Sequence, residues 1–340
     1  MIPVTSPQID LPERVAGSLL GLALGDAIGF VVEAAPAEIA FAYARDELSV
    51  PSSVARTRRD FPFGQYSDDT QLACALLLGV RDAGRWEPAA FAARVVELFA
   101  SGRAVGAGPG SRGAAERLRA GVPWERAGTP APYAGNGGAM RVAPLGVLLA
   151  HDLPLLVEAA AAQCRVTHAD PRCAGGAVAI AGAAALAGQP GALDRVALLR
   201  QLIAVVATVD EEMAGVVSAV EAWLELSPTE ALGQLRHACL DPGEGAAWRG
   251  ISTHVAPSVA WSLYAALRTP DDYWTAIRTA IEPGGDTDSM AAMAGGIVGA
   301  RVGRAGLPDT LLRTLTDRGE GAADSLEALA RECAACVRGR

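Results

Sequence analysis

Two adjacent carboxylates stand where an apolar helix is predicted to begin. Asp68 and Asp69 follow the hydroxyl of Ser67 and precede Thr70, after a stretch that contains proline and glycine. Oxygen donors of this kind suit magnesium, manganese or calcium. The same residue types also cap helices, because their oxygens accept hydrogen bonds from free backbone N–H groups and carboxylates favour the positive end of the helix dipole. Taken alone, this cluster is better explained as a helix cap.

A second acidic cluster repeats this chemistry near the other end of the chain. Asp286 and Asp288 flank Thr287, with Ser289 next, after a Pro-Gly-Gly turn. Capping explains one of these acids more easily than two, and the spacing does not match an EF-hand loop. If the two clusters meet in the fold, four carboxylates and two hydroxyls surround a site large enough for two such cations. This crowding of negative charge would be costly without metal.

Two further segments have the composition of ligand-contacting loops. Residues 135–141, Gly-Asn-Gly-Gly-Ala-Met-Arg, place glycines where a backbone turns sharply or approaches a ligand, and the alternative is a tight connection between helices. His168 follows Thr167 between two predicted helices. An isolated histidine there serves either as a ligand donor or as a cap, and capping is the preferred interpretation for the histidine alone.

The first predicted helix contains two acids among apolar neighbours. Asp26 and Glu33 are seven residues apart, which places them near one face of a helix, two turns from each other. An apolar environment should not hold unpaired carboxylates. A buried polar role is therefore predicted for both side chains.

The composition excludes several other chemistries. All 29 basic residues are arginine, so a P-loop NTPase and a Schiff-base or pyridoxal enzyme lack the lysine they require. The net charge of -9 does not favour nucleic acid as a partner. The six cysteines are scattered through apolar helical surroundings and are interpreted as reduced core thiols, including Cys333 and Cys336 in a terminal helix. No signal peptide is expected, which makes the cytoplasm the default location.

Apolar residues recur at helical spacing along almost the whole chain, whereas alternating strand patterns are scarce. With 51% apolar residues the chain can build a large core, and no linker or repeat divides it. We expect one all-α domain over residues 12–340. Met290 to Ala300 is too short to cross a bilayer, which needs about twenty apolar residues. The predicted helices cover residues 12–33, 69–83, 88–101, 111–120, 138–150, 154–167, 172–187, 193–208, 211–226, 228–239, 254–268, 271–282, 287–303 and 322–338.

In this combination and order, the motifs resemble those of the ADP-ribosylglycohydrolase family, which includes dinitrogenase reductase-activating glycohydrolase and the ADP-ribosyl-acceptor hydrolases. The similarity spans almost the whole chain. Its landmarks are Gly25-Asp26 with Glu33, Ser67 to Thr70, Gly135 to Arg141, Thr167-His168, and Gly284 to Ser289. The resemblance implies a single-domain, compact orthogonal bundle of helices.

The resemblance also implies two magnesium or manganese ions held between the early and late acidic motifs. The implied metal ligands are Ser67, Asp68, Asp69, Asp286, Asp288 and Ser289. Many family members have threonine at the first and last of these positions, and serine keeps the hydroxyl oxygen. Glu33 corresponds to a glutamate that lies beside the metals in some relatives. Proton transfer is assigned to Glu33 or Asp69.

The glycine-rich segments and the histidine are implied to hold ADP-ribose. These substrate-binding residues are Gly108, Gly135, Asn136, Gly137, Gly138 and His168. Gly108 belongs to residues 106–111, which resemble the glycine-rich loop bordering the ligand cleft of the family. Pro132-Tyr133-Ala134 departs from the serine–aromatic pair often found before the 135–141 motif.

The implied activity is release of ADP-ribose from a modified protein or small molecule. The metals would bind the ribose hydroxyls and orient a water for attack at the anomeric carbon. Arginine, serine and other linkages all stay open. The alternatives are an inactive ADP-ribose-binding protein on the same scaffold and a two-metal phosphoesterase. The chain keeps all four carboxylates, which favours an active enzyme; no membrane partner is expected, and the sequence does not indicate the oligomeric state.

Overall fold

A computed structural model describes residues 9–239 and 249–338. Helices dominate this part of the chain, which confirms the all-α prediction. The α-helices are α1 (Leu11–Phe30), α2 (Ala37–Ala42), α3 (Asp68–Ala83), α4 (Pro88–Ala100), α5 (Pro109–Arg119), α6 (Trp124–Ala127), α7 (Ala143–Leu148), α8 (Leu153–Arg165), α9 (Pro171–Ala187), α10 (Arg195–Ala207), α11 (Glu211–Ala219), α12 (Pro228–Cys239), α13 (Val255–Arg268), α14 (Tyr273–Ile281), α15 (Thr287–Val302), α16 (Asp309–Leu312) and α17 (Ala323–Arg338).

Several short elements were not predicted. Three of them are the helices α2, α6 and α16. A π-helical turn over Tyr43–Glu47 continues α2, and an antiparallel hairpin pairs β1 (Thr316–Asp317) with β2 (Glu320–Gly321). Elements of two to six residues span too few positions to establish a hydrophobic period, so the sequence pattern carries no signal for them.

The first predicted helix, 12–33, is too long by about one turn. α1 ends at Phe30, and the carbonyl of Phe30 accepts a hydrogen bond from Arg58 Nη1 at 2.7 Å. The arginine thus satisfies a backbone group that a longer helix would have used. Glu33 stands on the turn that follows. It does not share a helical face with Asp26, which corrects that part of the prediction.

Two other predicted helices are interrupted. In the predicted helix 138–150 the α-helix begins only at Ala143. A 3₁₀ turn, Asn136–Gly138, precedes it, and the carbonyl of its first residue accepts the backbone N–H groups of two following residues. The prediction 211–226 covers α11 and then a 3₁₀ turn that begins after Ala219. Tighter turns replace the α-helical bonds in both places.

α1 and α15 pack with their backbones in contact. Gly17, Gly21, Gly25 and Gly29 recur every fourth residue along one face of α1. A Cβ atom added at any of them would lie only 2.1–2.4 Å from a carbonyl oxygen of α15. Only glycine permits this approach. At the end of the stripe, the Thr287 hydroxyl donates to the Gly29 carbonyl at 2.7 Å, so the end of α1 lies beside the start of α15.

α9 is buried along almost its whole length and packs against α7, α8, α10, α13 and α15. Its alanine and glycine residues allow close approach on several sides. A Cβ atom on Gly176 would lie 2.3 Å from Val255 of α13, and one on Gly182 would lie 2.7 Å from Leu202 of α10. Small side chains at the centre of the bundle therefore bring the helices that carry the site close together.

The cysteines whose side chains are described form no disulfide: Cys74, Cys164, Cys173, Cys333 and Cys336. The side chain of Cys239 lies outside the described part. Cys333 packs in α17 against α3, where its thiol lies 3.2 Å from the Leu77 carbonyl oxygen. In residues 9–239 and 249–338 no helix has the length and apolar character needed to cross a bilayer. The single-domain interpretation of residues 12–340 stays a prediction.

Candidate active site

The first acidic cluster begins α3. Ser67 caps the helix, its hydroxyl oxygen accepting from the Asp69 N–H at 3.2 Å. The carboxylate of Asp26, on α1, accepts from the Ser67 N–H at 3.0 Å, from the Thr70 N–H at 3.0 Å and from the Thr70 hydroxyl at 2.6 Å. Asp26 is fully buried. It therefore fixes the start of α3 against α1 and orients the two acids that follow the cap.

The second acidic cluster begins α15 after a sharp turn. Gly284 and Gly285 both have left-handed backbones, with φ of 73° and 88°, a conformation that glycine adopts without strain. The Asp286 N–H donates to the Ile251 carbonyl at 2.8 Å. One carboxylate oxygen of Asp286 accepts from the Asn136 side-chain amide at 2.6 Å. Asn136 thus links the glycine-rich motif to the second cluster.

The two clusters meet in one cleft of about 600 Å³. The residues around it are Glu33, Asp68, Asp69, Gly106, Gly108, Pro109, Gly110, Ser111, Tyr133, Gly135, Asn136, Gly137, Met140, His168, Thr253, Asp286, Asp288 and Ser289. Most of the predicted site residues are thereby brought together from six separate parts of the sequence. We call Asp68, Asp69, Asp286 and Asp288 the acidic wall. We call Gly110, Tyr133, Gly135, Gly137 and His168 the histidine wall.

The carboxyl groups of the acidic wall have no ion-pair partner among the described residues. Asp69 Oδ1 and Asp288 Oδ1 are buried and have no hydrogen-bond partner among the described residues. Burial, together with the neighbouring Asp26 carboxylate, raises the pKa of Asp68 to about 8. Burial likewise raises the pKa of Asp69 and of Asp288 well above the usual range, and nearby carboxylates add to both shifts. Buried anions of this kind are normally paired or bound to metal.

The donor set fits a divalent cation that prefers oxygen. Carboxylate oxygens of Glu33, Asp286 and Asp288 all lie within 4.8 Å of one another, and Asp69 and Asp288, which carry the two buried oxygens without partners, both line the cleft. Magnesium and manganese prefer such ligands. The structure thus supports a cation site that includes Glu33, Asp286 and Asp288.

Glu33 differs from the other acids because it is partly exposed and has a cationic partner. Its side chain is 24% exposed, and its carboxylate lies 2.6 Å from Arg58 Nη1. The guanidinium of Arg58 also lies over the ring of Phe30, at 4.1 Å from the centroid. Arg58 therefore holds Glu33 at the edge of the acidic wall, where like charges would otherwise repel it.

The histidine wall is built around a ring that glycines enclose. A Cβ atom on Gly110 would lie 2.7 Å from His168 Nε2, and one on Gly137 would lie 2.5 Å from His168 Cε1. Tyr133 stacks on the imidazole with ring centroids 5.7 Å apart. Burial, with a further contribution from Arg141, lowers the pKa of His168 to about 3. The imidazole is therefore neutral near pH 7.

Two predicted site residues do not line the cleft. The Ser67 hydroxyl donates to Asp69 Oδ2 at 3.1 Å and is fully buried. A Cβ atom on Gly138 would lie 2.3 Å from Cys164 Sγ, so this glycine packs against α8. Ser289 lines the cleft, and its hydroxyl lies 3.9 Å from the sulfur of Met140. The ligand role of Ser67 stays a prediction.

Sequence reasoning missed two contributors. Thr253 lines the cleft, and its carbonyl accepts from the Asn136 N–H at 2.9 Å. It stands in no recognisable motif, and a backbone carbonyl leaves no signal in the sequence. Arg58 is one of three arginines within four residues, with Arg56 and Arg59, and no local pattern distinguishes the one that binds Glu33.

A model of the family described as ADP-ribosylglycohydrolase matches residues 7–339 of the chain. The chain belongs to the ADP-ribosylglycohydrolase family. The prediction of a glycohydrolase enzyme is confirmed at the level of the family, whose members act on ADP-ribosylated substrates. The resemblance drawn from the ordered motifs is confirmed with it.

Similar proteins agree with this assignment. An uncharacterized protein of Archaeoglobus fulgidus is 30% identical over 91% of this chain and 93% of its own length. The ADP-ribosylarginine hydrolase Tri1 of Pseudomonas putida is 31% identical over 46% of this chain and 42% of its own. The ADP-ribosylarginine hydrolase Tri1 of Serratia proteamaculans is 29% identical over 50% of this chain and 46% of its own length. The chain therefore aligns with less than half of the length of each arginine hydrolase. A solved structure titled "ADP-ribosylglycohydrolase-related protein complex" superposes with a TM-score of 0.65 at 27% identity, covering 96% of this chain and 99% of that one.

Proposed function

We propose that this protein is a metal-dependent hydrolase that releases ADP-ribose from a modified target. The observation that carries the proposal is the pair of orphaned oxygens, Asp69 Oδ1 and Asp288 Oδ1, buried in one cleft with two further carboxylates. A protein that only bound a nucleotide would have no use for this concentration of anions. A cation gives them a partner and a function.

The residues proposed to hold magnesium or manganese are the acidic wall, with Ser67, Ser289 and Glu33 at its border. When bound, one or two such cations would offset the carboxylate charge, polarise ribose hydroxyls and lower the pKa of a nearby water. Asn136 serves this site indirectly, because its amide holds Asp286 through the 2.6 Å hydrogen bond.

Hydrolysis exchanges the bond between the anomeric carbon and the acceptor atom for a bond to a water oxygen. The water loses one proton, and the departing acceptor atom gains one. Glu33 is the better candidate for accepting the proton of water, because its carboxylate is partly exposed whereas Asp69 Oδ1 is buried and Asp69 Oδ2 accepts from Ser67. Asp69 then belongs to the cation site, and its assignment to proton transfer is the weaker alternative.

The histidine wall is proposed to hold the ADP-ribose. Gly108, Gly135 and Gly137 leave room for a ligand beside the imidazole of His168, and Tyr133 supplies an aromatic face. This wall and the acidic wall share one cleft. A ligand on the histidine wall therefore extends toward the carboxylates, where its ribose and the bond to be cleaved would lie.

The linkage that we propose is to arginine, because two similar proteins are named ADP-ribosylarginine hydrolases. The test is incubation of the metal-loaded protein with arginine-, serine- and nucleobase-linked ADP-ribose, followed by chromatography of the products. Intact ADP-ribose from the arginine substrate is expected, and Asp288→Asn should release none.

Three other outcomes would favour a different function or a different linkage. AMP or a phosphoribosyl remnant would indicate a phosphoesterase. Binding of ADP-ribose without release from any of the three substrates would indicate an inactive binding protein. Release from the serine-linked substrate alone would support a hydrolase but overturn the proposed arginine linkage.

A further inference from the structure

A fully buried arginine lies behind the histidine wall. Arg141 is 0% exposed, and in the described part of the chain no carboxylate lies within ion-pair distance of it. Its partners are neutral oxygens: Nε donates to Gln163 Oε1 at 2.7 Å, and Nη2 donates to the Gln163 carbonyl at 2.9 Å and to Thr167 Oγ1 at 2.8 Å. Burying a cation without an anionic partner is costly, which points to a functional use for Arg141.

The contact with Thr167 decides where the hydroxyl proton goes. Thr167 Oγ1 accepts from Arg141, so its single proton is free to be donated elsewhere. Two acceptors are near: His168 Nδ1 at 2.8 Å and the Cys164 carbonyl oxygen at 3.5 Å. The first distance is normal for a hydroxyl hydrogen bond and the second is too long. Donation to His168 Nδ1 gives the hydroxyl proton the shorter of the two hydrogen bonds, and this is the arrangement that the distances favour.

An imidazole that accepts at Nδ1 and is neutral carries its proton on Nε2. The lowered pKa of His168 agrees with a neutral ring. Nε2 lies on the side of the cleft, where Cβ atoms on Gly110 and Gly137 would stand 2.7 and 3.0 Å from it. No hydrogen-bond partner of Nε2 is found among residues 9–239 and 249–338. Its N–H group is thus directed at whatever occupies the cleft.

We propose that Arg141 and Thr167 are positioning residues that fix His168 in the Nε2–H tautomer, so that the cleft presents an uncharged hydrogen-bond donor to an oxygen of the ligand. The identity of that ligand, ADP-ribose, rests on the proposed function, whereas the tautomer does not. The other tautomer would direct a lone pair at the oxygens of a diphosphate or a ribose and would repel them. The buried cation sets this polarity through the threonine hydroxyl.

The direct test is nuclear magnetic resonance of the protein labelled with ¹⁵N-histidine. The chain contains only four histidines, and His168→Gln identifies the ring of interest. The expected spectrum shows a pyrrole-type Nε2 and a pyridine-type Nδ1 in the wild type. Thr167→Ser should keep this pattern, and Thr167→Val should lose it. A wild-type ring protonated at Nδ1, or an unchanged tautomer in Thr167→Val, overturns the proposal.

The second readout is ADP-ribose affinity in a double-mutant cycle. Thr167→Val should weaken binding by about tenfold, the loss of one good hydrogen bond, while Thr167→Ser binds within about twofold of wild type. In a His168→Gln background, where an amide donates whatever the tautomer, Thr167→Val should have no further effect. An equal loss in both backgrounds would show that Thr167 acts only structurally.

The two proposals fail separately. If the wild type binds no ADP-ribose, the proposed function is overturned, while the ¹⁵N spectrum still decides the tautomer. If Thr167→Val lowers the unfolding temperature too far for study, the wild-type spectrum and Thr167→Ser decide it without that variant.

Discussion

The two walls of the cleft differ in how the protein provides partners for buried charged groups. The acidic wall buries carboxylates and leaves Asp69 Oδ1 and Asp288 Oδ1 without partners. Behind the histidine wall, the buried Arg141 finds neutral oxygens for two of its three nitrogens. The acidic wall is therefore incomplete until a cation arrives, whereas the histidine wall is organised by the protein alone. Removing metal should affect the first wall and leave the second nearly unchanged.

The largest effect is expected from neutralising the acidic wall. Asp286→Asn and Asp69→Asn keep the shape of each side chain but remove its charge, so activity should fall by a factor on the order of 1,000 while the fold survives. ADP-ribose release and the unfolding temperature measure the two quantities. Asp60→Asn is the matched control, because that carboxylate is 87% exposed. This variant should keep the wild-type activity and unfolding temperature. Full activity in Asp286→Asn would remove this residue from the cation site.

A smaller effect is expected where the two walls are joined. Asn136→Ala removes the 2.6 Å hydrogen bond to Asp286, and loss of a partner that orients a metal ligand typically costs about 10- to 100-fold in metal affinity or activity. Metal titration by calorimetry measures the first. Ser258→Ala is the control, since it removes the other neighbour of the Asn136 amide, at 3.2 Å, and keeps the bond to Asp286. Equal losses in both variants would contradict the role given to that bond.

A change to the histidine wall should spare the metal. In Gly137→Ala the new methyl group would stand 2.5 Å from His168 Cε1, so the ring must move and ADP-ribose affinity should fall by about tenfold. Metal affinity should stay at the wild-type value. Gly215→Ala on α11, where a Cβ atom meets nothing within 4 Å, should change neither. A loss of metal affinity in Gly137→Ala would show that the walls are not independent.

The smallest effect is on stability without metal. The pKa of Asp68 is raised to about 8 and that of Asp286 to about 6, so the folded, metal-free protein binds protons more tightly than the unfolded chain. Stability is then highest at low pH and is lost as the pH rises through 6 to 8. The chelated protein should unfold a few degrees lower at pH 8.5 than at pH 6, and magnesium should remove most of the difference. A chelated protein that is more stable at pH 8.5 would contradict the assignment of buried, unpaired carboxylates.

The sequence was most informative where chemistry depends on residue type and order. The two acidic clusters, the glycine motif and His168 are recognisable from the sequence, because clustered carboxylates and repeated glycines are conspicuous in a helical chain. Each cluster alone resembled a cap, and Ser67 is indeed a cap. The two clusters favour a cation site over two capped helices only because they lie in one cleft.

The rest depends on contacts between distant segments. The Asp26 carboxylate and the Thr70 hydroxyl, separated by 44 residues, bond only because α1 and α3 pack together. No sequence pattern distinguishes Arg58, which pairs with Glu33, from its neighbouring arginines. Because α1 ends at Phe30, Glu33 lies on a turn and not on the helix that the sequence predicts. The direction of the Thr167 proton follows from the difference between a 2.8 Å and a 3.5 Å contact, which no pattern of residue types encodes.

The most direct test of metal-dependent hydrolysis is to measure release of ADP-ribose from arginine-linked substrate by one preparation under three conditions. These are the protein stripped by chelator, the same protein after magnesium or manganese is restored, and Asp288→Asn with the metal restored. We expect no release from the stripped protein, full release once the metal is restored and no release from Asp288→Asn, with intact ADP-ribose as the product. Undiminished release by the stripped protein would contradict the proposed metal dependence.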